Sequence, residues 1–196
     1  TDSRSLSFPE ETLFFALATR RNSGARYIPD LYDRGVRNFV VSEEDFNKMD
    51  AGKSAGYDDV CPVPGGGLPD VNFLIVPNPL KALQKLAEIH REKFRIPVIG
   101  ITGSYGKTST KYFLNSILSY RFESLMTPAS YNTTMGVVRT VRENLKPTTS
   151  HFVVEMGARH LGEMKEICDI VCPDMGIIAS IGPQHLETFG SLDNVV

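Results

Sequence analysis

The stretch Val98-Ile99-Gly100-Ile101-Thr102-Gly103-Ser104-Tyr105-Gly106-Lys107-Thr108 constrains the fold more than any other part of this chain. Val98 to Ile101 form a continuous apolar run bounded by turn residues. Such a run fits a strand buried on both faces, as in a parallel sheet covered by helices. Gly103 and Gly106 let the backbone approach a ligand closely, and free N–H groups at a helix start attract anions. Lys107 adds an ammonium and Thr108 a hydroxyl in the first helical turn, as in a loop that holds a triphosphate and its Mg²⁺. The spacing departs from the common G-x-x-x-x-G-K-[ST] pattern: Ile101 stands five before Gly106, and glycines fall at 100 and 103. A plain glycine turn with a solvated lysine is the alternative. The strand before the loop and the amphipathic helix after it meet the structural condition the motif demands.

The rest of the chain alternates in the same way. Leu13 to Leu17, Asn38 to Val41 and Phe73 to Val76 are expected as strands. Helices are expected over Tyr27 to Arg34, stopped by Gly35, over Glu43 to Met49 with Ser42 as N-cap, and from about Pro79. Asp50 to Asp70 is rich in Gly and Pro and reads as a long surface loop. A helix is expected from Lys107 to about Ser119, with Phe113, Leu114, Ile117 and Leu118 as its apolar face. Helices from Thr134 to Leu145 and Gly162 to Ile170 and strands Phe152 to Val154 and Gly176 to Ser180 follow. This order predicts an α/β protein: a small α/β domain over 1–93, then the first part of a doubly wound, mainly parallel-sheet nucleotide-binding domain over 94–196.

Composition narrows the function class. A net charge of −2 lacks the basic excess of a general nucleic-acid binder. No apolar run reaches the length of a membrane span, and Thr1-Asp2-Ser3-Arg4 is not a secretory signal, so the expected compartment is the cytoplasm. The missing initiator Met suggests that both ends are fragment boundaries. Cys61, Cys168 and Cys172 are too few for a disulfide framework, and the latter two lack neighbouring metal ligands. They are expected to be small buried hydrophobes, kept reduced in the cytoplasm.

Three further places carry candidate chemistry. Glu155 closes the Phe152 to Val154 strand, and ligands of parallel sheets bind beyond the carboxyl ends of the strands. A carboxylate there can reach the Mg²⁺ of a nucleotide held by the loop. His185 follows the Gly176 to Ser180 strand and is expected at the same sheet edge, in a metal or phosphate role. Tyr131-Asn132-Thr133-Thr134 brings hydroxyls, an amide and helix-start N–H groups together. It reads either as an oxyanion contact or simply as an N-cap formed by Asn132 or Thr133.

In this order the pieces resemble the Mur ligases, ATP-dependent amide ligases that build the peptide stem of peptidoglycan precursors. The resemblance runs through Asp2-Ser3-Arg4, Gly24-x-x-Tyr27-Ile28, Gly100-Ile101-Thr102-Gly103-Ser104-x-Gly106-Lys107-Thr108 and Tyr131-Asn132-Thr133-x-x-Gly136. It continues through Glu155-Met156-Gly157-Ala158 and Ile181-Gly182-x-x-His185-Leu186-Glu187-x-Phe189-Gly190-Ser191. The last two are most similar to the branch that adds D-alanyl-D-alanine to UDP-N-acetylmuramoyl-tripeptide. The branch adding a single amino acid, and a non-catalytic UDP-sugar or nucleotide-binding module, are the alternatives.

The resemblance implies roles for individual residues. Thr102, Gly103, Ser104, Gly106, Lys107, Thr108 and Ser109 would hold ATP. Thr108, Glu155 and His185 would bind Mg²⁺, with Lys107, Glu155 and His185 as the catalytic set. Ser3 and Arg4 would lie in the domain that holds the uridine end of the substrate. Asn132 and Thr133 would sit near its diphosphate and sugar. The substrates implied are the UDP-N-acetylmuramoyl-peptide and D-alanyl-D-alanine. Tyr105 stands where the family most often has Asn, and Ser23 where an acidic residue is common. The family's metal-supporting lysine, expected within about a dozen residues of the His185 motif, is not reached before Val196. The expectation is therefore a ligase fragment, inactive on its own, of open oligomeric state.

Overall fold

The computed structural model describes residues 6–18, 22–50, 70–183, 187, 190 and 191. Ser3, Arg4, Cys61, His185 and nearly all of the expected 50–70 loop lie outside the described residues. The chain divides into two compact units, Thr1–Leu83 and Gln84–Val196.

The first unit contains a parallel sheet in the order β1-β2-β3, with β1 over Leu13–Phe15, β2 over Asn38–Ser42 and β3 over Asn72–Val76. A 3-10 turn, Gly24–Tyr27, leads into α1, Ile28–Asp33. Ser23 caps that turn by accepting from Ala25 N–H at 3.1 Å. Gly35, at φ 99°, ends α1 in the left-handed conformation that glycine favours. Gly35 N–H bonds Tyr32 O and Val36 N–H bonds Leu31 O, both at 2.9 Å, which satisfies the last helical carbonyls. Ser42 caps α2, Glu43–Asp50, through Asp45 N–H at 3.1 Å. Phe14, Ile28, Leu31, Val36, Phe39 and Val41 form the core. Phe73 stacks on Phe39 with ring centroids 5.7 Å apart.

The helix α3, Pro79–Glu92, carries the chain into the second unit. There a four-stranded, all-parallel sheet runs in the order β5-β6-β4-β7. The strands are β4 Val98–Thr102, β5 Ser124–Met126, β6 His151–Glu155 and β7 Met175–Ile178. The helices are α4 Lys107–Leu118, α5 Thr134–Asn144 and α6 Glu163–Val171. Val98, Ile101, Phe152, Val153 and Val154 are fully buried. Full burial of such a side chain stabilises by about 1.5–3 kcal/mol. The expected parallel α/β architecture is therefore present in both units. The strand β5 was not expected: it has three half-buried residues and pairs along one side only.

The inward face of α4 also differs from expectation. Leu114 and Leu118 pack on Ile99, Ile101 and Val153. Phe113 and Ile117 point outward and are more than 70% exposed. The third inward position on this helix, three before Leu114, is Lys111, which is 0% exposed. A cation occupies a core position here because it has a carboxylate to meet.

Candidate functional site

The site forms where the carboxyl ends of three strands finish together. Ile101 pairs with Glu155, and Thr102 with Ile178, so β4, β6 and β7 end at one level. The loop leaves β4 there and returns as α4. Gly106 occupies the N-cap at φ 82°, a backbone state that costs side-chain-bearing residues energy. A Cβ on Gly103 would come within 2.6 Å of the Ser180 carbonyl oxygen. Both glycines are thus required by the loop's shape.

The loop leans on the segment that follows β7. Ser104 N–H donates to Ser180 O at 2.7 Å, and Ser104 Oγ donates to Gly182 O at 2.7 Å. Gly182 N–H donates back to Ser104 Oγ at 3.0 Å. Tyr105 N–H donates to Ser180 Oγ at 3.0 Å. The amides of Ser104 and Tyr105 are therefore engaged within the protein. The first-turn amides of α4 have no intrahelical carbonyl to bind and are the donors left for an anion. Lys107 Nζ folds over the same loop, 2.5 Å from Gly103 O and 3.2 Å from Ser104 O. A cation held there lies at the mouth of a positive helix terminus.

Glu155 is the second element. Side chains on a strand alternate, so Glu155 shares a face with Val153, the face covered by α4. Its carboxylate is 1% exposed. Oε1 accepts from Thr108 Oγ1 at 3.1 Å and from Asn132 Nδ2 at 3.0 Å. Oε2 lies 2.9 Å from Lys111 Nζ. Glu155 N–H donates to the buried Thr127 hydroxyl at 3.0 Å, which fixes the strand end. Thr108, Asn132 and Glu155, named from sequence, are thus brought together. Asn132 is further tied in by Gly157 N–H, which donates to its carbonyl at 2.7 Å. Thr133 caps α5 by accepting from Gly136 N–H at 3.3 Å, which settles the cap between Asn132 and Thr133. Thr102 ends β4 and accepts from Ala179 N–H at 2.9 Å. Ser109 lies in the first turn of α4.

Lys111 was missed. A signal for it exists in the sequence: position 111 shares a helical face with Leu114 and Leu118, and Glu155 shares strand parity with Val153. Those two patterns, combined, place an ammonium against a carboxylate.

The Mg²⁺ implied by the resemblance fits the donors present. Two neighbouring ligands of an octahedral Mg²⁺ with 2.0–2.1 Å bonds stand about 2.9 Å apart. Thr108 Oγ1 and Glu155 Oε1 stand 3.1 Å apart. One hydroxyl and one carboxylate form the sparse protein contribution that Mg²⁺ takes when phosphates supply other ligands. Among the described residues no group of three or more His, Cys, Asp and Glu gathers into a metal site. The expected third ligand, His185, lies outside them.

The two described cysteines, Cys168 and Cys172, are free thiols, but neither is the buried hydrophobe expected: Cys168 is half-buried, and Cys172 is exposed because it caps the end of α6. Burial, and then the Asp169 charge, push the Cys168 thiol above its ordinary range. Among the described residues no helix is long and apolar enough to cross a membrane.

Residues 101–196 match the family model of the Mur ligase middle domain. The chain belongs to the Mur ligases. The UDP-N-acetylmuramoyl-tripeptide–D-alanyl-D-alanine ligase of Synechocystis sp. is 34% identical over 191 residues, covering 97% of this chain and 37% of that protein. The ligase of the same description from Rickettsia prowazekii is 31% identical over 93% of this chain and 36% of its own length. The crystal structure of the Mur ligase MurF from Acinetobacter baumannii superposes with a TM-score of 0.75 at 28% identity. It covers 97% of this chain and 38% of that one. The chain thus spans a little over a third of the length of the relatives it matches.

Proposed function

We propose that this chain supplies the nucleotide-phosphate site of an ATP-dependent ligase that joins D-alanyl-D-alanine to UDP-N-acetylmuramoyl-tripeptide. The observation that carries this reading is the meeting of Thr108 and Asn132 on Glu155 Oε1 at the loop mouth. The Synechocystis and Rickettsia relatives support the choice of D-alanyl-D-alanine over a single amino acid. On this reading residues 1–93 belong to a domain for the UDP-linked substrate, with Ser3 and Arg4 at its uridine end. Residues 94–196 begin the ATP-binding domain, and the protein works in the cytoplasm.

The reaction has two steps. The terminal carboxylate of the tripeptide forms a bond to the γ-phosphorus of ATP, the bridging P–O bond breaks, and ADP leaves. The dipeptide amine then bonds to the acyl carbon, phosphate departs, and the amine loses a proton. The first step brings two anions together, so its barrier is largely electrostatic. Lys107 and the first-turn amides of α4 hold the phosphates and offset that repulsion. Bound Mg²⁺ supplies further neutralisation of the phosphate charge, with Thr108, Glu155 and His185 to hold it. Asn132 orients the Glu155 carboxylate and, with Thr133, faces the substrate side.

The test is an assay of the full protein with Mg²⁺, ATP, UDP-N-acetylmuramoyl-tripeptide and D-alanyl-D-alanine. Phosphate release should require all of them, with a pentapeptide product by mass. Activity instead with lysine or diaminopimelate on the dipeptide precursor would assign the single-residue branch. Binding of nucleotide or UDP-sugar without turnover would leave a non-catalytic module. Lys107→Ala should abolish acyl-phosphate formation and leave the fold intact.

A further inference from the structure

The buried ammonium of Lys111 has no part in the phosphate chemistry above. It reaches no solvent, yet it touches both halves of the site. Nζ lies 2.9 Å from Glu155 Oε2 and donates to the Ala129 carbonyl. It also sits 5.0 Å from the centre of the Tyr112 ring. Among the described residues Oε2 has no hydrogen-bond donor apart from this ion-pair partner. Ala129 has φ 42°, a left-handed state uncommon for a residue with a Cβ. It begins the turn that delivers Asn132, whose amide meets the other carboxylate oxygen. The ammonium, the carboxylate, the Asn132 amide and the Ala129 turn therefore close a ring of contacts within the second unit.

We propose that Lys111 is a positioning residue. It fixes the rotation of the Glu155 carboxylate so that Oε1 faces Thr108, and it fastens the turn that carries Asn132. One buried cation thereby ties the metal-facing side of the site to its substrate-facing side. The proposal rests on the reading of Glu155 given above. It goes further by assigning a residue that contacts neither phosphate nor substrate.

The experiment compares Lys111→Met, Glu155→Gln and the double variant with the unaltered full protein. Two readouts serve: affinity for a fluorescent ATP analogue with Mg²⁺ and with EDTA, and amide exchange over residues 127–134. Lys111→Met should weaken binding at least tenfold in Mg²⁺ and less than threefold in EDTA, and should speed exchange over 127–134. Equal losses in Mg²⁺ and EDTA, or no loss, would overturn the positioning role. If Lys111→Met does not fold, the double variant leaves no uncompensated buried charge and carries the test. Its 127–134 exchange should exceed that of Glu155→Gln, which keeps the bond to Ala129; equal exchange would refute the tether. A Glu155→Gln protein with unchanged Mg²⁺-dependent affinity would instead sink the metal-facing reading of Glu155, while the exchange comparison would still decide the tether.

Discussion

The Ser180 hydroxyl grips the backbone of Tyr105 from both sides, accepting from its N–H at 3.0 Å and donating to its carbonyl at 2.9 Å. The loop is thus shaped by contacts to the segment after β7 as well as by its glycines. Ser180→Ala removes both bonds and leaves two backbone groups without that partner. The expected cost is about 1–2 kcal/mol of stability, with weaker nucleotide binding. Urea denaturation and ADP titration check it; unchanged ADP affinity would show that the loop keeps its shape without this support.

The two sides of α4 should respond differently to truncation. Leu114→Ala opens space against Ile99, Ile101 and Val153 and should cost about 2 kcal/mol, the low end for Leu→Ala in a core. Phe113→Ala, on the 73% exposed side, should stay within about 0.5 kcal/mol. Denaturation midpoints of the two variants decide the matter. The reverse order would mean that the helix is rotated.

Much of the fold was legible because its signals are local. The Val98 to Ile101 run announced a central strand, and Gly35 and Ser42 marked helix ends by known chemistry. The position of Glu155 was legible because it closes a strand downstream of the glycine loop, at the sheet edge where ligands of parallel sheets bind. Lys111 was not, because a lysine in a helix reads as a solvated face until its partner is known. Taking that face for solvent turned Phe113 and Ile117 inward on paper. Ser104, Ser180 and Gly182 bond across about 75 residues, and hydroxyls carry no periodicity that would reveal it. The strand β5 is too short, and too mixed in polarity, to announce itself.

At the substrate side, Thr133→Ala removes the cap on α5. The expected loss is about 1 kcal/mol, and Thr133→Ser should recover most of it. Thermal melts of the pair are the measurement. An equal loss in both variants would assign the effect to the threonine methyl rather than to the hydroxyl bonded to Gly136 N–H.

The Cys168 thiol is pushed up by burial, so less of it is thiolate at neutral pH than for an ordinary thiol. Cys172 is exposed and should be alkylated first by iodoacetamide at pH 7, as read by mass spectrometry. The sign for stability follows from linkage. The folded state favours the protonated thiol, so its contribution is kept below the ordinary thiol range and lost as pH rises through it. Cys168→Ala should therefore flatten the alkaline fall in stability, and an unchanged slope between pH 7 and pH 10 would contradict this.

The bond from Tyr105 to Ser180 spans 75 positions of sequence, and that span sets a timetable for synthesis. Chains emerge at about 5–20 residues per second, so the glycine loop waits about 4–15 s for the residues that brace it. During that wait β4 gains its neighbours one at a time, β6 first and β7 just before residue 180. A nascent chain halted before residue 180 would carry every residue of the phosphate-binding motif and still lack its braced form.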